Sequence, residues 1–213
     1  ANVTFIGNGA IGQIVTDGRT SIRIDGDRAA ADGASKTVTA DTIKTDFQAD
    51  GKSIKRAEAV GNAELFVEPL KGGENIYKTR VNAPRFDCDF YSTGNAARTC
   101  VGQTKTRTVR EPMFQSASNG QQTITGDKLN ATFSESANEL SPLVVAGNGK
   151  FTELERNVTA ATIAFTTSTG VVALRGGEPT AWDNSSRAKA KEIDWDSKAK
   201  RSYLRGKVST TYY

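Results

Sequence analysis

Three pairs of acidic residues are spaced closely enough to suggest acid–base catalysis or calcium binding. They are Asp25 with Asp27, Asp87 with Asp89, and Asp194 with Asp196. The first pair brackets Gly26 in a predicted turn. The other two flank Cys88 and Trp195, which fall at inward positions of the repeat described below, and strand alternation turns the neighbours of an inward residue to the outer face. We therefore expect solvated surface at all three pairs.

A glycine-rich segment near the start of the chain suggests a second kind of chemistry. In VTFIGNGAIGQIV, Gly7, Gly9 and Gly12 have the spacing G-x-G-x-x-G of dinucleotide-binding loops. That function requires a helix directly after the third glycine, because the helix N-terminus receives the pyrophosphate. The following residues, QIVTDGRTSIRIDGDR, instead alternate like a β-hairpin around Asp17-Gly18. We predict no nucleotide site.

Composition narrows the possible functions further. The 213-residue chain contains no histidine, which excludes Ser-His-Asp and Cys-His nucleophiles and removes the commonest metal ligand. We therefore expect no enzymatic activity, no cofactor and no metal site. A mean hydropathy of -0.47 and short apolar runs predict a soluble chain without a membrane span. Residues 186–213 carry eight basic and three acidic residues, and this basic end would suit phosphate-bearing partners.

Internal repeats are the strongest signal in the sequence. The segment from Ala40 aligns with the segment from Gly126, an offset of 86 residues (126 − 40 = 86), and the segment from Ala160 aligns with that from Ala190. All four segments place one aliphatic residue 11 positions after another, across a turn-rich centre. The pairs are Ile43 and Ile54, Leu129 and Leu140, Ile163 and Leu174, and Ile193 and Leu204. Each segment is predicted to form a β-hairpin with one apolar face.

The repeats also account for the early glycines. IGNGAI at positions 6–11 lines up with VGNAEL at 60–65 and AGNGKF at 146–151. Glycine and asparagine accept a positive φ at little cost. We interpret this element as a Gly-Asn turn that ends a repeat unit.

The ordered motifs ADTIKTDF…AVGNAEL, GDKLNATF…VVAGNGKF, ATIAF…GVVALRGGEP and AKEIDWD…SYLRGKVSTTYY resemble the OstA-like family. This family of lipopolysaccharide-transport proteins includes LptA, LptC and the periplasmic N-terminal domain of LptD. The resemblance covers roughly residues 40–213. It implies an open, twisted, antiparallel β-jellyroll of two sheets in a V, periplasmic localisation, lipopolysaccharide or another anionic lipid as cargo, and edge-strand pairing with other OstA-like modules.

A lipid groove of that kind would be lined by the inward residues of the repeats. The predicted lipid-binding residues are Ile43, Phe47, Ile54, Leu65, Leu129, Phe133, Leu140, Phe151, Ile163, Phe165, Leu174, Ile193, Trp195 and Leu204. The same residues could equally fill a closed core, because the same alternation produces both.

Two other functions remain open, a structural β module that associates edge to edge without lipid, and a carbohydrate- or nucleic-acid-binding sandwich. Nucleic acid is disfavoured because Trp195 is predicted to face inward.

The two cysteines and the sheet edges give the remaining predictions, which concern a disulfide, the number of strands and self-association. Cys88 and Cys100 lie in another hairpin-like segment and favour a disulfide over two buried thiols, with one bulged residue because they are 12 positions apart. We expect about twenty short antiparallel strands in sequential order, in one elongated module over residues 1–213 or two fused half-modules, 1–102 and 123–213. The segment GKVSTTYY lacks protection as an edge strand, which predicts homo-oligomers that pair through the first and last strands.

Overall fold

The computed structural model is all-β and contains a single open antiparallel sheet of 17 strands. It describes residues 1–7, 9–25, 34–71, 76–92, 96–114, 120–133, 140–166, 169–196, 199 and 201–213. The open antiparallel all-β fold predicted from the sequence is confirmed. No helix with the length and apolar character needed to cross a membrane occurs in the part of the chain that the structure describes.

The strands differ greatly in length, and the six longest follow one another in the middle of the chain. In chain order they are β1 (Asn2–Phe5), β2 (Ile11–Val15), β3 (Thr20–Ile24), β4 (Ala34–Ala40), β5 (Thr42–Phe47), β6 (Ile54–Pro69), β7 (Tyr77–Phe90), β8 (Ala97–Pro112), β9 (Gln122–Phe133), β10 (Leu140–Glu153), β11 (Arg156–Thr166), β12 (Val171–Arg175), β13 (Thr180–Trp182), β14 (Ser186–Lys189), β15 (Glu192–Asp196), β16 (Arg201–Arg205) and β17 (Ser209–Tyr212).

The sheet consists of two layers that share the six long strands β6 to β11. Layer 1 has the order β1-β2-β5-β6-β7-β8-β9-β10-β11-β12-β15-β16. Layer 2 has the order β3-β4-β6-β7-β8-β9-β10-β11-β13-β14-β17. One half of each long strand belongs to each layer, so the long strands join the two layers along one line, and each layer has a free margin on the side away from that line.

Every pairing between neighbouring long strands changes register where the strands pass from one layer to the other. Alternate strands carry residues with positive φ at this line. They are Gly61 and Asn62 in β6, Thr104 and Lys105 in β8, and Gly147 and Asn148 in β10. The interval is constant (104 − 61 = 147 − 104 = 43). The predicted repeat of 86 residues therefore contains two structural repeats, and the middle one lacks Gly-Asn.

The Gly-Asn elements at 61–62 and 147–148 correct the sequence interpretation, because they bend a continuous strand and do not end a unit. Each asparagine Nδ2 donates to an aspartate Oδ2 across the bend, Asn62 to Asp41 and Asn148 to Asp127, both at 2.8 Å. A bend and a reversal both require positive φ, so the local sequence does not distinguish them. The expected number of about twenty strands is close to the 17 observed, but the expectation that all are short was wrong for the same reason, since β6 to β11 have 11 to 16 residues each.

The first hundred residues contain a second correction. β2 and β3 flank Asp17-Gly18 but do not pair with each other, since β2 joins β1 and β5 in layer 1 while β3 joins β4 in layer 2. The glycine-rich segment does form a reversal between β1 and β2, closed by hydrogen bonds from Ile6 N to Ala10 O and from Gly9 N to Ile6 O. A strand follows Gly12 where a nucleotide site would require a helix.

β8 runs without interruption through residues 103–112 and pairs with β7 on one side and β9 on the other. The sheet is therefore hydrogen-bonded through part of the boundary region between residues 1–102 and 123–213. The division into half-modules stays a prediction.

Exchanging the bend residues should change stability in opposite directions at two equivalent sites. Thr104→Gly with Lys105→Asn is expected to raise the free energy of unfolding by about 1 kcal/mol, because a β-branched residue in the left-handed region is strained. Gly147→Thr with Asn148→Lys should lower it by at least about 2 kcal/mol, since a Cβ at 147 would lie 2.5 Å from Asp127 Oδ2. Urea denaturation followed by circular dichroism measures both. Equal signs for the two exchanges would contradict this account of the bend.

Candidate functional site

The space between the two layers is lined by the apolar residues that the repeats predicted to face inward. Seven of them are buried, namely Ile43, Leu129, Phe133, Phe151, Ile163, Leu174 and Ile193. Four pack against that core while partly exposed, namely Leu65, Phe165, Trp195 and Leu204. Phe47 and Ile54 are half-buried, and the Leu140 side chain lies outside the described residues. The layers are in direct contact, since the rings of Phe151 in layer 2 and Trp195 in layer 1 meet edge to face at 5.6 Å.

Burial is greatest in the middle of the molecule. Ile163 and Leu174 are opposite each other on β11 and β12, and each exposes at most 2% of its surface. Val145, on the neighbouring strand and opposite Ile163, is 1% exposed. The central part of the interior is therefore a closed core. The sequence left open whether these residues line a lipid groove or fill a closed core.

Toward the C-terminal end the two layers separate and enclose a cavity of about 260 Å³. Its size lies near the lower limit for small-molecule sites. Layer 1 contributes Val172, Leu174, Ile193, Trp195, Ser202 and Leu204, and layer 2 and its connections contribute Arg156, Asn157, Val158, Ala181, Trp182, Asp183, Ser186 and Ala188. Leu174, Ile193, Trp195 and Leu204 were all predicted from the repeats, so this cavity brings together four of the predicted lipid-binding residues.

A smaller, almost entirely apolar cavity of about 80 Å³ lies toward the N-terminal end. Ile43, Ile54 and Leu65 line it together with Ile22 and Val38. Its volume is well below that of a ligand site. Both ends of the interior therefore contain space between the layers, and of these two cavities the C-terminal one is the larger.

The wall of the N-terminal cavity includes Cys88, which forms a disulfide with Cys100. The two residues are directly opposite each other on β7 and β8, with Cα atoms 4.1 Å apart. The register shifts after Asp89, so that Phe90 pairs with Ala97 and Arg98 is left out of the pairing. This extra residue is the bulge that the separation of 12 residues predicted.

The disulfide predicts a specific result in solution. Protein from an oxidising compartment, alkylated under denaturing and non-reducing conditions, should carry no modified cysteine, and reduction before alkylation should add two. Because the closed loop is short, we expect a loss of about 2 to 3 kcal/mol of stability on reduction. Cys88→Ala with Cys100→Ala serves as the control for alkylation. Two modified cysteines without reduction would contradict the bond.

Polar residues that sequence reasoning missed lie at the free margin of layer 2. Arg110 near the end of β8 donates from Nη1 to Gln122 Oε1 at 2.7 Å, and Gln122 Nε2 donates to Glu153 Oε1 at 2.7 Å. The Arg110 guanidinium also lies over the rings of Tyr77 and Phe165, at 4.4 and 4.7 Å. Burial lowers the pKa of Arg110 to about 10, against the opposing attraction of Tyr77 and Glu153. A charged group thus lies inside the space between the layers.

Two of the acidic pairs, Asp87 with Asp89 and Asp194 with Asp196, occupy the outer face, as their strand positions predicted. Partial burial raises the pKa of Asp194, but hydrogen bonds from Arg175 and Arg205 outweigh it and hold that pKa below its ordinary value. Hydrogen bonds from Arg85 likewise lower the pKa of Asp87. Asp25 pairs with Arg23, and Asp27 lies outside the described residues. Within the described part of the chain, no group of three or more His, Cys, Asp or Glu side chains is placed to hold a metal ion.

Comparisons with known proteins identify no family for this chain. No family model and no curated protein matches the sequence. Among solved structures, the chain is similar to LptH from Pseudomonas aeruginosa, described as the LptA homologous periplasmic component of the lipopolysaccharide transport device. The sequences are 10% identical, the match covers 87% of this chain and 97% of that chain, and the TM-score is 0.32. Function must therefore be inferred from the residues of this chain.

Proposed function

We propose that this protein is a non-enzymatic periplasmic lipid carrier of the OstA-like kind, which holds the acyl chains of lipopolysaccharide between its two layers and passes them toward the outer membrane. The observation that carries the proposal is the cavity between the layers at the C-terminal end, with Trp195 and Leu204 in its wall. Apolar walls of this kind stabilise a bound acyl chain by about 0.8 kcal/mol for each CH₂ group removed from water.

The partial exposure of those walls supports a binding role. Leu204 and Trp195 belong to the apolar cluster but are not fully covered by it, whereas residues in the centre are almost completely buried. An acyl chain entering from the C-terminal end would cover surface that the protein itself leaves open. Edge strands at both ends of each layer would let a second module extend the interior, as a bridge for lipid requires.

Two measurements test the proposal. Mass spectrometry of lipid extracted from the purified protein should detect bound lipopolysaccharide. A photoreactive amino acid at Leu204 should crosslink to added lipopolysaccharide, whereas one at Tyr203 should not. Tyr203 is the matched control because it lies next to Leu204 on β16, is 49% exposed, and pairs with the outward Asp194.

A structural β module that associates edge to edge without lipid is the alternative function. Its support is the set of exposed residues on the outermost strands, such as Val3 and Tyr212. Absence of extracted lipid, together with equal crosslinking at Leu204 and Tyr203, would favour this alternative.

A further inference from the structure

One row of residues along the free margin of layer 2 contains three cations that the repeats did not reveal. Pairing from strand to strand connects β4, β6, β7, β8, β9, β10 and β11 at equivalent positions. The margin row is Lys36, Val67, Thr79, Arg110, Gln122, Glu153 and Arg156. Directly paired residues point to the same face of a sheet. Three cations and one carboxylate therefore share this face.

Contacts with layer 1 show that the face is the inner one. Each cation of the margin row lies over an aromatic ring of the opposite layer. Lys36 Nζ is 5.5 Å from the centre of the Phe133 ring, the Arg110 guanidinium is 4.7 Å from that of Phe165, and the Arg156 guanidinium is 5.5 Å from that of Trp195. Phe133, Phe165 and Trp195 lie at or near the ends of their strands, so these contacts connect the two free margins.

The row behind the margin row is apolar except for Thr108. Two residues deeper along each strand lie Val38, Leu65, Val81, Thr108, Ile124, Phe151 and Val158, which are paired across the same strands. The interior surface of layer 2 thus changes from cationic at its margin to apolar two residues deeper along each strand. An amphiphile with an anionic head and an acyl chain has the complementary order of charge and apolar surface.

The two arginines of the margin row have incomplete charge compensation. Among the described residues, no carboxylate lies within the 4 Å of an ion pair from Arg110 or Arg156. Aromatic faces stabilise a cation less than a hydrogen-bonded anion does. Burial makes the charge of Arg110 costly, so a phosphate beside Arg110 would gain more than it would on an exposed surface.

We infer that Lys36, Arg110 and Arg156 form a headgroup site, which binds phosphate groups of an amphiphile whose acyl chain lies against the apolar row behind them. On binding, each cation exchanges its aromatic neighbour for a phosphate oxygen. The inference rests on the proposed lipid-carrying function and adds the headgroup to it. Arg110 is three strands from Lys36 and three from Arg156, about 14 Å in each direction. Each cation therefore takes a separate anionic group, and single substitutions should give partial losses.

The test compares two ligands that differ by one phosphate, dodecanoyl lysophosphatidic acid and dodecanoyl monoacylglycerol, by titration calorimetry below their micelle concentrations. Wild-type protein should bind the phosphorylated ligand about tenfold more tightly. Lys36→Gln with Arg110→Gln and Arg156→Gln should remove that preference while changing the affinity for monoacylglycerol by less than about twofold. Arg80→Gln is the matched control, because Arg80 lies over Phe66 on the outer face of the same layer, and it should leave both affinities unchanged.

The outcomes separate the two proposals. Equal wild-type affinity for the two ligands would overturn the headgroup site and leave the lipid carrier standing, whereas failure to bind either ligand would overturn both. Inorganic phosphate should not displace the phosphorylated ligand at equal concentration, and displacement would show a general anion site instead. If circular dichroism shows that the triple variant is unfolded, the three single variants decide. A preference that stays at the wild-type value in Lys36→Gln, in Arg110→Gln and in Arg156→Gln would also overturn the site.

Discussion

Replacing Ile163 with aspartate is expected to leave the protein unfolded, whereas the same change at Leu204 should leave it folded. Ile163 is 2% exposed and is covered by Leu174 and Val145 from the strands on either side. A carboxylate there would have no hydrogen-bond donor to replace water. The cost of several kcal/mol is comparable with the whole free energy of unfolding of a domain this size.

Leu204 lines the C-terminal cavity and is only partly buried, so a carboxylate at this position can stay hydrated. We expect Leu204→Asp to cost no more than about 2 kcal/mol and to abolish crosslinking of lipopolysaccharide to the cavity. Far-ultraviolet circular dichroism and urea denaturation measure the stability of both variants. Unfolding by both would show that the C-terminal end is as closed as the centre, and that it offers no room for a ligand.

Local pairing could be predicted from the sequence because it depends on residues close together in the chain. The spacing of 11 residues placed Ile163 opposite Leu174 and Ile193 opposite Leu204, and both pairs are opposite each other in the structure. The same spacing was wrong in the first two segments, where Ile43 pairs with Ala59 and Leu129 with Val145. The hairpins are short, and period-two alternation fixes which face is apolar. The inward direction of Trp195 followed from the same alternation.

The two layers could not be predicted in the same way. Whether Gly61-Asn62 reverses the chain or bends it depends on whether the following residues pair with the same neighbours, and here β6 continues along β7 through the bend. The equivalent bend at Thr104-Lys105 carries no local signal, because neither residue favours a positive φ. Only the pairing of β8 with both neighbours reveals it.

The cationic margin depends on still longer connections. Lys36 and Arg156 belong to one row only because six successive pairings keep their registers across the intervening strands. In the sequence, each of these cations is an isolated basic residue in an alternating strand, a pattern that is usually the solvated face. Nothing near Arg110 in the sequence distinguishes it from the outward Arg107.

Association through the sheet edges should depend more strongly on β1 than on β17. In the described pairings, β1 and β16 each have one partner in layer 1, and β3 and β17 each have one partner in layer 2. Successive strands of layer 1 alternate in direction, so its twelve strands leave β1 and β16 antiparallel. The eleven strands of layer 2 leave β3 and β17 parallel. A second copy stacked end to end in the same orientation would thus join layer 1 by an antiparallel pair and layer 2 by a parallel pair.

Deleting residues 1–6 removes β1, and deleting residues 207–213 removes β17, whose residues are all exposed. Antiparallel pairs are slightly more stable, so we expect the first deletion to lower the association constant by at least about tenfold and the second by less. Sedimentation velocity over a range of concentrations measures both, with circular dichroism as the control for folding.

The sequence predicted contact between the first and last strands themselves, but β1 and β17 lie in different layers, and only a stacking that crosses the layers would bring them together. Stronger loss on deleting β17 would support that crossed arrangement, and unchanged association in both variants would place the interface away from the sheet edges.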